Sequence, residues 1–98
     1  MNDIVIIWDD EDDPNGNYWH ICVEGHGFTR EEVEHVLYDE DSDIEISRSS
    51  GRPIALGLTT SGERIGVVFE EMSENPKIVY PVSAFRVPPK RERKGKRR

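Results

Sequence analysis

The stretch Pro53 to Glu71 limits the fold of this chain more than any other. Ile54, Leu56 and Leu58 alternate with Ala55 and Gly57, the Ser61-Gly62 pair supplies a turn, and Ile65, Val67 and Phe69 resume the period of two on the way back. The pattern predicts a two-stranded hairpin with an apolar face. A lone ribbon of that kind is marginal in water, so flanking segments must add strands and something must cover its apolar side.

The flanks supply both. Asp3 to Trp8 is a short run rich in β-branched residues and predicts a first strand, at an edge of the sheet or inserted in it. Asp9 to Asn17 carries five acids, Pro14 and Asn15-Gly16, which predict a polar turn or loop. Tyr18, Ile21 and Cys22 share one helical face, so Tyr18 to Glu24 predicts a short helix before the break at Gly25 to Gly27. Thr29 then stands as an N-cap with Glu32 three residues on, Phe28 is spaced to staple against Val33, and Val33, Val36 and Leu37 form an apolar stripe. The Asp39 to Asp43 cluster ends that helix.

After Asp43 the period changes to two. Ile44 and Ile46 alternate with acids, Arg48 to Gly51 predicts a turn, and Glu71 to Pro76 a longer connection. Lys77 to Val87 predicts a last strand, in which Pro81 lacks a ladder donor and argues for an edge position or a bulge. The expected fold is α+β: a two-layer domain of order β-α-α-β-β-β-β, with an antiparallel sheet of four to five strands covered on one face by helices. With 98 residues, 35% of them hydrophobic, the chain suits one domain with a small core, over residues 1–89.

Charge is unevenly placed. Residues 1–89 hold nineteen acidic and six basic side chains, whereas Lys90 to Arg98 holds seven basic and one acidic. The body repels phosphate at long range; the tail, expected to be disordered when free, attracts it. Lys90, Arg91, Arg93 and Lys94 are therefore candidate nucleic-acid contacts, with Arg52 and Arg64 on the body. The same tail could equally fold back on the acidic body. No apolar run is long enough to span a bilayer, the first residues do not resemble a secretion signal, and Cys22 is the single cysteine. These features lead to the expectation of a cytoplasmic protein with no membrane partner.

Two groups of residues come near a metal-ligand pattern. Glu11, Asp13, Asn15 and Gly16 fall near the spacing of an EF-hand loop, yet Cys22 occupies the position of the bidentate glutamate and Pro14 interrupts the loop. His20, Cys22 and His26 are three potential ligands without a CxxC or HxxxH spacing. The expectation is no metal and no cofactor. Arg48 and Arg52 flank one turn and are expected at one end of the sheet with Lys77, with Arg64 and Arg86 at the other. From Ile54 to Thr60 is roughly 20 Å of strand, so the two arginine pairs cannot share one phosphate.

Taken together, IIWDD (Ile6 to Asp10), HGFTREEVEHVL (His26 to Leu37), RPIALGLTTSGERIGVVFEE (Arg52 to Glu71) and VYPVSAFRVPPKRER (Val79 to Arg93) resemble, in that order, the BrnT toxins. These are small bacterial ribonuclease toxins of type II toxin–antitoxin pairs with a RelE-like fold. The resemblance implies metal-independent cleavage of RNA, in which arginines, here Arg48 and Arg86, neutralise the scissile phosphate. His26 or Tyr80 would handle the 2′-hydroxyl proton. It further implies an antitoxin protein as partner. The family usually carries lysines after the opening tryptophan and before the histidine-glycine pair; this chain has acids around residues 10–13 and Gly25 there. Those differences favour an alternative, a catalytically silent protein-interaction module with the same fold. A further alternative is nucleic-acid binding through the basic tail alone.

Overall fold

A computed structural model describes residues 4–25 and 27–88. Strands β1 (Ile4–Ile6), β2 (Asp43–Ile46), β3 (Pro53–Leu58), β4 (Arg64–Glu74) and β5 (Lys77–Arg86) form one sheet in the order β1-β5-β4-β3-β2. A π-helical turn, Trp19–Val23, and helix α1, Arg30–Tyr38, lie between β1 and β2. The architecture is α+β with the expected element order. The sheet, however, is mixed: β2 to β5 are antiparallel neighbours, while β1 runs parallel to β5. The loop and two helical segments carry the chain from β1 across the sheet to β2 at the far edge, and β2, β3 and β4 all intervene before β5, so no tight turn forces β1 and β5 to be antiparallel.

Helix α1 forms as its sequence dictates. The Thr29 hydroxyl accepts from the Glu32 N–H at 3.1 Å and the Glu32 carboxylate accepts from the Thr29 N–H at 3.0 Å, completing the capping box. Val33, Val36 and Leu37 are fully buried against Phe28, Ile21 and the sheet residues Ala55, Ile65, Val67, Phe69 and Val79. The helix can approach β3 closely because Gly57 presents no side chain; a Cβ there would run into Ser42 and lie 3.3 Å from Val36 Cγ1.

Register decides which residues share a face. Ala55 stands opposite Val67 and Gly57 opposite Ile65, so these four lie on the side that α1 covers. Ile54, Leu56 and Leu58 therefore face the other way, beside Val68, Gly66 and Arg64. The hairpin has two apolar faces rather than one, and among the described residues only one of them carries a helix. On the second face the Phe85 ring lies over Gly66, where a Cβ would meet its Cζ at 2.5 Å.

Two further expectations change. Pro81 is buried in β5, an interior strand, so the edge placement is excluded while the bulge is present: Val68 pairs with Ser83 but Phe69 with Pro81, leaving Val82 as the extra residue. The predicted connection Glu71 to Pro76 is mostly strand. β4 continues to Glu74 through a second irregularity at Met72, and Asn75-Pro76, joined by a cis peptide bond, makes a tight hairpin turn.

Candidate functional site

The most tightly organised polar cluster sits where β1 ends. Asn17 is 4% exposed and holds four hydrogen bonds. Its side-chain amide donates to the Ile7 carbonyl at 3.0 Å and the Pro81 carbonyl at 2.9 Å, its Oδ1 accepts from the Asp9 N–H at 2.8 Å, and its own N–H donates to Asp9 Oδ2 at 2.9 Å. The Asn17 amide thus continues the β1–β5 pairing one step past the last strand bond, Ile7 N–H to Val79 O at 3.0 Å. The Tyr80 hydroxyl donates to the same Asp9 oxygen. That bond, joined by the Asn17 N–H, holds the Asp9 carboxyl below its ordinary range; reciprocally, the Asp9 bond and then burial push the Tyr80 phenol up to about 12. Sequence reasoning read Asn17 as the end of a polar loop. Its role depends on Pro81, 64 residues away, and no local signal announces it.

The rest of the acidic loop is tied to α1. Trp8 Nε1 donates to Glu34 Oε2 at 2.8 Å, and Arg30 bonds Glu11 at 3.3 Å while its guanidinium lies 6.0 Å from the Trp8 ring centroid and 5.8 Å from that of Tyr18. No three His, Cys, Asp or Glu side chains converge as a metal site among the described residues. Cys22 is half-buried in the core margin, and burial pushes its thiol up, away from the thiolate that would bind a metal. His20 is exposed and lies 3.9 Å from Glu24.

The arginines expected to act together are dispersed. Arg48 is exposed in the turn between β2 and β3. Arg52, before β3, bonds Glu70 at 2.8 Å. Arg86, ending β5, bonds Glu63 and stacks over the Phe28 ring at 4.8 Å from its centroid. Lys77 bonds Glu71 at 3.0 Å at the β4–β5 hairpin, a position beyond Arg52, since β4 runs six residues past the pairing of Ile54 with Val68. Pro53, next to Arg52, is four steps of β3 from Gly57, the residue in line with Ile65 and Arg86; that is about 13 Å. Arg64 and Arg86 do come together, lining one groove of about 860 Å³ with Glu45, Leu56, Glu63 and Val87. Tyr80 lies opposite Glu70, away from that groove. His26, Lys90, Arg91, Arg93 and Lys94 fall outside the described residues.

Compared with known proteins, the chain matches no family model, no curated sequence and no solved structure. Among the described residues no helix is long and apolar enough to cross a membrane. What the chain does must therefore be argued from its own surface. Among the described residues that surface joins an excess of acidic over basic side chains to two apolar regions without a helix over them, the second sheet face with Leu58 and the outer strand β2 with Ile44 and Ile46.

Proposed function

We propose that this chain is a cytoplasmic, catalytically silent protein-interaction module on a BrnT-like, RelE-type scaffold, and that it docks a protein partner of the antitoxin kind. The observation that carries this reading is the state of its cations. Four of the six basic side chains on the body, Arg30, Arg52, Lys77 and Arg86, are bonded to carboxylates. An arginine already neutralised by a neighbour has less field left for a transferring phosphate, and Arg52, about 13 Å along the strand from the groove of Arg64 and Arg86, cannot join them in gripping one. Tyr80, with its phenol held protonated to about pH 12, is a hydrogen-bond donor at neutral pH and a poor general base.

A second reading, a metal-independent ribonuclease, is favoured by one observation: Arg64 and Arg86 line the same groove. Growth after induced expression in a bacterial host separates the two. The interaction reading predicts unimpeded growth with soluble, folded protein, for the intact chain and for the Arg48→Ala, Arg86→Ala double variant alike. Arrest by the intact chain alone, with cleaved RNA in the extracts, would replace it with the ribonuclease.

A further inference from the structure

We infer that the outer edge of β2 is a docking site for an extended segment of a partner protein in which apolar and basic residues alternate. The inference rests on the interaction reading above and names its surface. β2 is the last strand of the sheet: one side pairs with β3, and the other has no strand neighbour among the described residues. Such an edge offers unpaired backbone donors and acceptors, and proteins blunt it with shortness, charged side chains, proline or a covering element. Asp43–Ile46 is short and carries two acids but no lysine or proline, a guard that repels another acidic edge and leaves the strand open to a basic one.

The side chains define what would fit. Ile44 and Ile46 lie on the face that α1 covers farther in, since Ile44 pairs with Ala55 and Ile46 with Pro53; α1 packs on β3 and β4, so β2 overhangs it. Ile44 is 50% exposed and Ile46 64%. On the opposite face Asp43 and Glu45 stand across from Leu56 and Ile54. An added strand would place alternate residues beside the isoleucines and the intervening ones beside the acids. Complementarity therefore requires apolar residues on one side and basic residues on the other. Asp39, Glu40 and Asp41, just upstream, deepen the negative field.

Charge also selects among occupants. A second copy pairing edge to edge would set Asp43 and Glu45 against the same acids of its twin, which like-charge repulsion disfavours. The chain's own Lys90 to Arg98 supplies positive charge without an apolar residue to cover Ile44 and Ile46. A partner segment of alternating type satisfies both faces at once.

The test uses the full chain, isotope-labelled, and a synthetic peptide of about eight residues alternating lysine with valine. The expected result is that the Asp43 to Ile46 amide signals shift and exchange more slowly with solvent, and that binding weakens with salt. The Ile44→Lys, Ile46→Lys variant should abolish binding. Should that variant misfold, Asp43→Lys with Glu45→Lys, both exposed, serves instead and should weaken binding about tenfold or more. Equal binding of a lysine–serine peptide would overturn the inference by showing a charge effect alone. So would sedimentation as a dimer that Ile46→Lys dissociates, or binding that appears only after removal of Lys90 to Arg98. Absence of peptide binding in a preparation that cleaves no RNA overturns this surface and leaves the interaction reading standing; RNA cleavage by the same preparation overturns that reading.

Discussion

Asn17 shows how one buried amide can decide where a chain goes. Without it the Ile7 and Pro81 carbonyls would lose a donor at the end of the β1–β5 pairing and the Asp9 N–H would lose its acceptor, while the backbone bond from the Asn17 N–H to the Asp9 carboxylate would remain. Buried groups stripped of a partner cost about 1–3 kcal/mol each, so Asn17→Ala should destabilise the fold by roughly 2–4 kcal/mol, measured from the urea midpoint. Its neighbour carries a pH signature. Because folding lowers the Asp9 carboxyl, its stabilising contribution is present above the ordinary carboxylate pKa and is lost as pH falls through the folded value; Asp9→Asn should flatten that part of the acid unfolding profile. Tyr80 behaves in the opposite sense. Its contribution holds up to pH 10 and is lost as the pH rises through about 12, so an ultraviolet titration should show a late phenolate step that Tyr80→Phe removes. None of this was legible locally, since Asp9, Asn17 and Tyr80 meet only after β1 and β5 have paired.

Elements whose determinants are local could be read from the sequence. The cap of α1 is written within four residues, and Thr29→Ala should cost about 1 kcal/mol in a denaturant melt. The turn at Ser61-Gly62 is equally local: Gly62 takes φ 89°, and Thr59 O accepts its N–H at 2.9 Å. Short-range reasoning failed where two solutions share one pattern. Both sets of alternating residues in β3 are apolar, so reading Ile54, Leu56 and Leu58 as the one apolar face was wrong, and the small residues Ala55 and Gly57 take the helix side because α1 packs directly upon them. Gly57→Ala should thus destabilise by about 1–3 kcal/mol, whereas Leu58→Ala, half exposed on the other face, should cost less; urea midpoints of the two variants compare them. The parallel placement of β1 was hidden for a related reason, because three residues of apolar strand pair equally well in either direction until the connection settles it.

At the scale of the whole molecule, a net charge of -7 is spread so that the folded body is acidic and its cations are largely occupied. A polyanion approaching such a body is repelled before it reaches the groove of Arg64 and Arg86. The candidate site residues were visible in the sequence as residue types, but their pairing with Glu63 and Glu70 was not, because each pair joins segments brought together by the sheet. A surface that acts by contact, as proposed, turns over no RNA. The decisive experiment is incubation of the purified full chain with a long unstructured RNA, beside an Arg64→Ala, Arg86→Ala double variant. The interaction reading expects no cleavage above the protein-free control from either preparation; cleavage by the intact chain that the double variant loses would refute it.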